Sequence, residues 1–268
     1  MSVSDAQSEK PIEKPKRRSE LIVKEATWED IQTALSKGWR DFRLEPLKGA
    51  FFGGFYALGG VFLVLAAAQF ELGWLVYPAM LGFALMGPFI AVGLYEISRK
   101  LEQKVPVQWG DVIGVIWEQR KTEIAWMGFV MLFLNVIWMY QVRLLLALFL
   151  GMAAFGTFEQ LIQVLFTTEN GLWFLLFGHV IGAGLALAVF AITVLSIPIL
   201  LDRQVDIVTA IVASVGSVLK SPVVMISWGL FVVVALIAAS LPGFLGLIVV
   251  LPILGHATWH LYRRLVIG

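Results

Sequence analysis

The chain has no cysteine among its 268 residues. That excludes disulfides, thiolate metal sites, iron–sulfur clusters and thiol nucleophiles. It has only three histidines, His179, His256 and His260. Charge is scarce too, at 15% Asp, Glu, Lys and Arg, against about 25% in an ordinary soluble domain. Of its 39 charged residues, 19 fall within the first 49 positions, so the remaining 219 carry only 20. A soluble fold of that size could not cover its surface with so few polar groups. Net charge is +1, so no global field steers a nucleic acid. There is no phosphate loop, nucleophile elbow or metalloprotease motif. These absences exclude a soluble enzyme domain, a nucleic-acid binder and a disordered chain.

What is abundant is apolar sequence, at 59% of the chain. Crossing a bilayer takes about 20 residues. Six runs suffice, at 50–70, 74–97, 124–142, 173–201, 222–241 and 243–262. The first hairpin turns at Glu71-Leu72-Gly73 and the last at Leu241-Pro242-Gly243. The stretch 144–167 reads as an interfacial or re-entrant piece, with Phe158, Leu161, Ile162 and Leu165 on one side. With six spans, 19 of the 20 lysines and arginines fall on one side, and Arg143 alone falls on the other. Such an excess marks the cytoplasmic side, so both termini are expected there. The sequence therefore predicts an all-α polytopic membrane protein of six transmembrane helices. Residues 1–26 read as a disordered basic cytoplasmic tail and 27–268 as the membrane domain. No cleavable signal peptide is visible in the polar, basic residues 1–20.

Three amphipathic segments punctuate the basic side. They are Trp28–Leu35, Trp109–Ile116 and Gln204–Ile211, each with an acid at its third place (Asp30, Asp111, Asp206). An acid in the first turn complements the helix dipole. Trp109, Val112, Ile113, Ile116 and Trp117 share one helical face, which suits the headgroup plane. Sixteen residues after Asp30 comes Pro46, and sixteen after Asp206 comes Pro222, each at the start of a span. The far ends repeat as well. Pro88 to Arg99 and Pro252 to Arg263 have the same spacing, which sets Tyr95 against Trp259 and Glu96 against His260. The pattern predicts a threefold parallel repeat of interfacial helix plus helical hairpin, in units 27–104, 107–203 and 205–264.

The candidate functional residues are His256, His260, Glu96, Asp202, Arg203 and Arg143. His256 and His260 stand one helical turn apart, a spacing that suits a metal or haem. His179 lies at a different depth, so no metal set is completed, and no metal or cofactor is expected. The plainer reading has His256 bonding a neighbouring helix and His260 sitting in the aqueous interface beside Trp259 and Tyr262. Glu96 with Arg99, and Asp202 with Arg203, end the second and fourth spans, as an ion entry site or as interfacial anchors. Arg143 either pairs with Glu159 or Glu169 or binds an anionic lipid. No acid or base sits at mid-membrane, which argues against a charged relay.

The strings Gly38-Trp39-Arg40-Asp41-Phe42, Gly93 through Arg99, Ser196 through Arg203 and Pro252 through Arg263 resemble the domain of unknown function 2189 family of bacterial integral membrane proteins. The most specific is Gly255-His256-Ala257-Thr258-Trp259-His260. The resemblance covers about residues 27–266 and supplies no catalytic residues. Some members carry the label of cytochrome c oxidase subunits. Three histidines are too few for a catalytic oxidase subunit with two haems and copper. The sequence thus leads to a non-enzymatic accessory, structural or assembly partner of a membrane complex, respiratory among the choices, in a bacterial inner membrane. A small transporter or channel built on the repeat is the alternative. Its partners are the lipid bilayer and a membrane-complex protein, with no nucleic acid.

Overall fold

The computed structural model describes residues 21–69, 90–119, 122–151 and 158–267. A short strand, β1 (Ile22–Val23), leads into α1 (Trp28–Leu44) and α2 (Pro46–Gln69). Helix α3 is described over 90–102. Then come α4 (Trp109–Gln119), α5 (Glu123–Leu150), α6 (Phe158–Thr167), α7 (Glu169–Thr193), α8 (Ser196–Asp202), α9 (Ile207–Lys220), α10 (Pro222–Ser240), α11 (Leu247–Leu265) and β2 (Val266–Ile267). The regular structure of the described residues is helical apart from a two-residue antiparallel pairing of β1 with β2.

Among the described residues, four stretches are long and apolar enough to cross a membrane: Pro46–Leu63, Glu123–Leu150, Glu169–Asp202 and Pro222–Ser240. They fall on four of the six expected runs. Most of the run 74–97, with the turn at 71–73, lies outside the described residues. The run 243–262 becomes α11, which starts at Leu247 after turns over 241–246. Its second half carries His256, His260, Arg263 and Arg264, and that polarity keeps it out of the apolar set.

The stretch 144–167 differs from expectation. Helix α5 runs unbroken through Arg143 to Leu150, where Gly151 stops it in the left-handed region at φ 64°. At about 1.5 Å per residue, its 28 residues exceed the ~30 Å hydrocarbon thickness. Only α6 is a separate short helix. It turns tightly into α7, with Gly171 pressed on the Val164 carbonyl.

Local chemistry explains the amphipathic segments. Thr27 caps α1 in a reciprocal box with Asp30, which accepts from the Thr27 N–H at 2.9 Å. Asp111 likewise accepts from the Gln108 backbone N–H. Asp206 differs, being itself the N-cap of α9 and accepting from Thr209 N–H at 2.8 Å. The elbows into α2 and α10 share one geometry: Glu45 has φ −129° and ψ 58°, Ser221 has φ −136° and ψ 61°, and each precedes a proline.

Each amphipathic helix rests on a different partner. Helix α1 lies along α11, and α9 packs on α7 and α8. Val112 and Ile116 of α4 pack with Ile90, Leu94 and Ile97 of α3. Gly38 makes the α1–α11 approach close, since a Cβ there would lie 2.7 Å from both the Ile253 carbonyl and the Ala257 nitrogen. At the break between α7 and α8, the Ser214 hydroxyl of α9 donates to the Ala191 carbonyl at 2.7 Å and accepts from Leu195 N–H at 3.1 Å. The expected disorder up to residue 26 does not hold for 21–26. β1 pairs with β2, Ala26 N–H donates to Ser221 Oγ at 2.7 Å, and the Val23 carbonyl accepts from Lys220.

Candidate functional site

The polar residues of α11 gather at the basic end of the bundle, where α1 and the end of α3 cover them. His260 is 1% exposed. Its Nε2 lies 2.6 Å from Oδ2 of Asp41 on α1, and its Nδ1 lies 3.3 Å from Oε1 of Glu102 on α3. The Nε2 contact with Asp41 is a hydrogen bond, whereas Nδ1 makes none despite its distance to Glu102. Asp41 is fully buried and also pairs with Arg40 at 3.0 Å. Ser98 of α3 bonds this carboxylate and stands 2.9 Å from Nδ1 of the buried His256.

The network continues outward. Glu102 accepts from Trp259 Nε1 at 3.3 Å and pairs with Arg263 at 3.2 Å. Arg263 reaches Asp202 at 3.1 Å. Asp202 accepts from the Tyr262 hydroxyl at 2.6 Å, and that oxygen accepts from Arg203 at 3.1 Å. Arg264 bonds Asp30 of α1, as Lys100 bonds Asp111 of α4 at 2.7 Å. Burial alone would raise the Asp41 carboxyl, but the bonds from His260 and Arg40 outweigh it and hold it below the usual carboxylate range. Glu102 is held down against its own burial by His260, Trp259 and Arg263.

Of the sequence candidates, His256, His260, Asp202 and Arg203 join this network. His260 does not sit in the aqueous interface, because α1 covers it. Its partners are Asp41 and Glu102 rather than Glu96. Glu96 is buried and pairs within α3 with Arg99 at 2.6 Å. Arg143 is exposed on α5 and forms no ion pair with Glu169; the Glu159 side chain lies outside the described residues. His179 is exposed on α7, its Nδ1 2.6 Å from the Leu175 carbonyl. Among the described residues no three His, Asp or Glu side chains are grouped to hold a metal.

Asp41, Ser98 and Glu102 are the residues that sequence reasoning missed. A signal for Asp41 exists: Asp30, Ile31, Ala34, Gly38 and Asp41 fall on one face of α1, and all are buried. An acid on a face otherwise made of small and apolar residues needs a buried partner.

A cavity of about 430 Å³ lies between α2, α3, α10 and α11, lined by Leu94, Leu236, Leu251 and Gly255 among others. Its Ser240 and Thr258 hydroxyls donate within their own helices. Asn135 lines a groove between α5 and α7, and Thr193 bonds the Val189 carbonyl of its own helix.

No curated protein and no solved structure matches this chain. Residues 76–202 match the family model described as "Predicted integral membrane protein (DUF2189)", the family that the sequence resembles.

Proposed function

We propose that the protein is a non-enzymatic accessory, structural or assembly partner of a membrane complex, respiratory complexes included, in a bacterial inner membrane. The carrying observation is the Asp41–His260–Glu102 group. His260 pairs with Asp41 and lies 3.3 Å from Glu102, so the three side chains bring α1, α3 and α11 together. Catalysis needs a group left poised for a substrate, and this arrangement favours fastening instead.

The reading includes six spans with both termini cytoplasmic, on the lysine and arginine distribution. It also includes a threefold repeat closing into a ring, each amphipathic helix resting on the second span of another unit. Two correspondences support the ring. When Trp28 is set against Trp109 and Arg99 against Arg263, Asp30 with Arg264 corresponds to Asp111 with Lys100, and Pro46 against Pro222 sets Gly38 against Ser214. Gly38 against Ile253 and Ala257 corresponds to Ser214 against Ala191 and Leu195.

The test is affinity purification in mild detergent with mass spectrometry. A stoichiometric membrane-complex partner is expected. A chain recovered alone, together with solute flux in proteoliposomes, would overturn this reading for the alternative, a small transporter or channel. The cavity between α2, α3, α10 and α11 is the feature on which that alternative rests.

A further inference from the structure

The elbow between α1 and α2 combines features that the charge network does not use. Along its outward face the chain passes from exposed Arg40 and Arg43 to exposed Leu44, Leu47 and Phe51 within a dozen residues. Leu47 is 80% exposed, directly after the proline that starts the span. Two tryptophans wall this face, and each carries a cation. The Arg43 guanidinium lies 5.8 Å from the Trp39 ring centroid, and Lys48 Nζ lies 5.7 Å from that of Trp109. Phe51 meets Trp109 edge-on at 5.2 Å, which ties α4 to this wall. Cations also outnumber the acids here. Lys37, Arg40, Arg43 and Lys48 stand against Glu45, which pairs with Lys48 at 2.6 Å, and against Asp41, which pairs with Arg40 at 3.0 Å as well as with His260.

This order of cation, indole and apolar side chain is the order of a phospholipid read from headgroup to acyl chain. We propose that the elbow is a binding site for one anionic phospholipid. Arg43 and Lys48 take the phosphate, Trp39 and Trp109 flank the glycerol level, and an acyl chain lies on Leu47 and Phe51. Charge complementarity selects an anionic lipid over a zwitterionic one, whose own ammonium offsets its phosphate. The site is independent of any protein partner.

Native mass spectrometry of the full-length protein in detergent tests it, with phosphatidylglycerol and phosphatidylcholine of matched chains. Wild type is expected to hold phosphatidylglycerol in preference. Arg43→Gln with Lys48→Gln is expected to lower that occupancy by about thirtyfold, the effect of two bases near a lipid surface. Lys104→Gln, at an exposed base outside the segment 37–51, is expected to leave it unchanged. Each arm can refute the site. Equal retention of both lipids by wild type, a quantity that needs no variant, overturns it. So does retention by the double variant, or an equal loss in Lys104→Gln. Loss on deleting residues 2–20 would assign the lipid to the basic tail, and displacement by glycerol phosphate would show that headgroup phosphate alone is recognised.

Discussion

Asp41 and His260 are separated by 219 residues and joined by a 2.6 Å contact that neither shares with water. Removing one member of a buried, hydrogen-bonded ion pair costs about 3–5 kcal/mol, because the other charge stays buried without its match. Asp41→Asn and His260→Gln should each approach that range. The double variant should fall short of the sum by about 1–3 kcal/mol, since the second substitution removes a charge already orphaned. His256→Ala should cost less, about 1–3 kcal/mol, because it takes away chiefly the Ser98 bond. The ranking follows from the neighbours, since His256 bonds a hydroxyl whereas His260 faces carboxylates. The assay is equilibrium unfolding in mixed micelles, with all four proteins in one detergent. Additivity of the pair within about 0.5 kcal/mol, or a larger loss for His256→Ala, would refute the reasoning.

Acid should release α1. The Asp41 and Glu102 carboxyls are depressed in the folded chain, so their stabilisation is full above the ordinary carboxylate value of about 4 and is lost as pH falls through their lower folded values. Hydrogen exchange of α1 amides should accordingly rise below about pH 4; unchanged protection there would contradict the assignment. Gly38→Ala should destabilise by about 1–3 kcal/mol through its clash with the α11 backbone. Gly54→Ala, with nothing within 4 Å of its Cβ, should be neutral or stabilise by up to about 1 kcal/mol; thermal midpoints of the two variants decide between these effects. Deleting residues 2–20 should leave the unfolding midpoint unchanged. Deleting 2–26 should lower it, because β1 and the Ala26 bond to Ser221 go with it.

Much of the architecture was legible because lipid imposes it. Apolar runs of the required length mark spans almost regardless of their neighbours, and four of them recur in the helices. Pro46 and Pro222 marked helix starts because a proline at that place omits an N–H that would have no helical partner. What failed to show was pairing at long range. Glu102 and Arg263 read as ordinary charges at the ends of spans, and nothing local distinguishes a charge facing water from one facing His260. Asp41 was partly visible, since it continues the face of Ala34 and Gly38, but that face names no partner. The length of α5 was misjudged for a related reason: Arg143 looks like a terminus, yet a long side chain on the outside of a helix need not end it.

The docking of α1 along α11 also sets an order of events during synthesis. At about 5–20 residues per second, the 219 residues between Asp41 and His260 take roughly 10–45 s to make. Throughout that interval Asp41 has no imidazole to face, and α1 carries its acid into water or headgroups rather than into the bundle. Every intervening span must be inserted before the helix finds its seat. A chain arrested before α11 would therefore keep an unseated α1 with its small-residue face uncovered, a mark by which proteases could distinguish unfinished copies from complete ones.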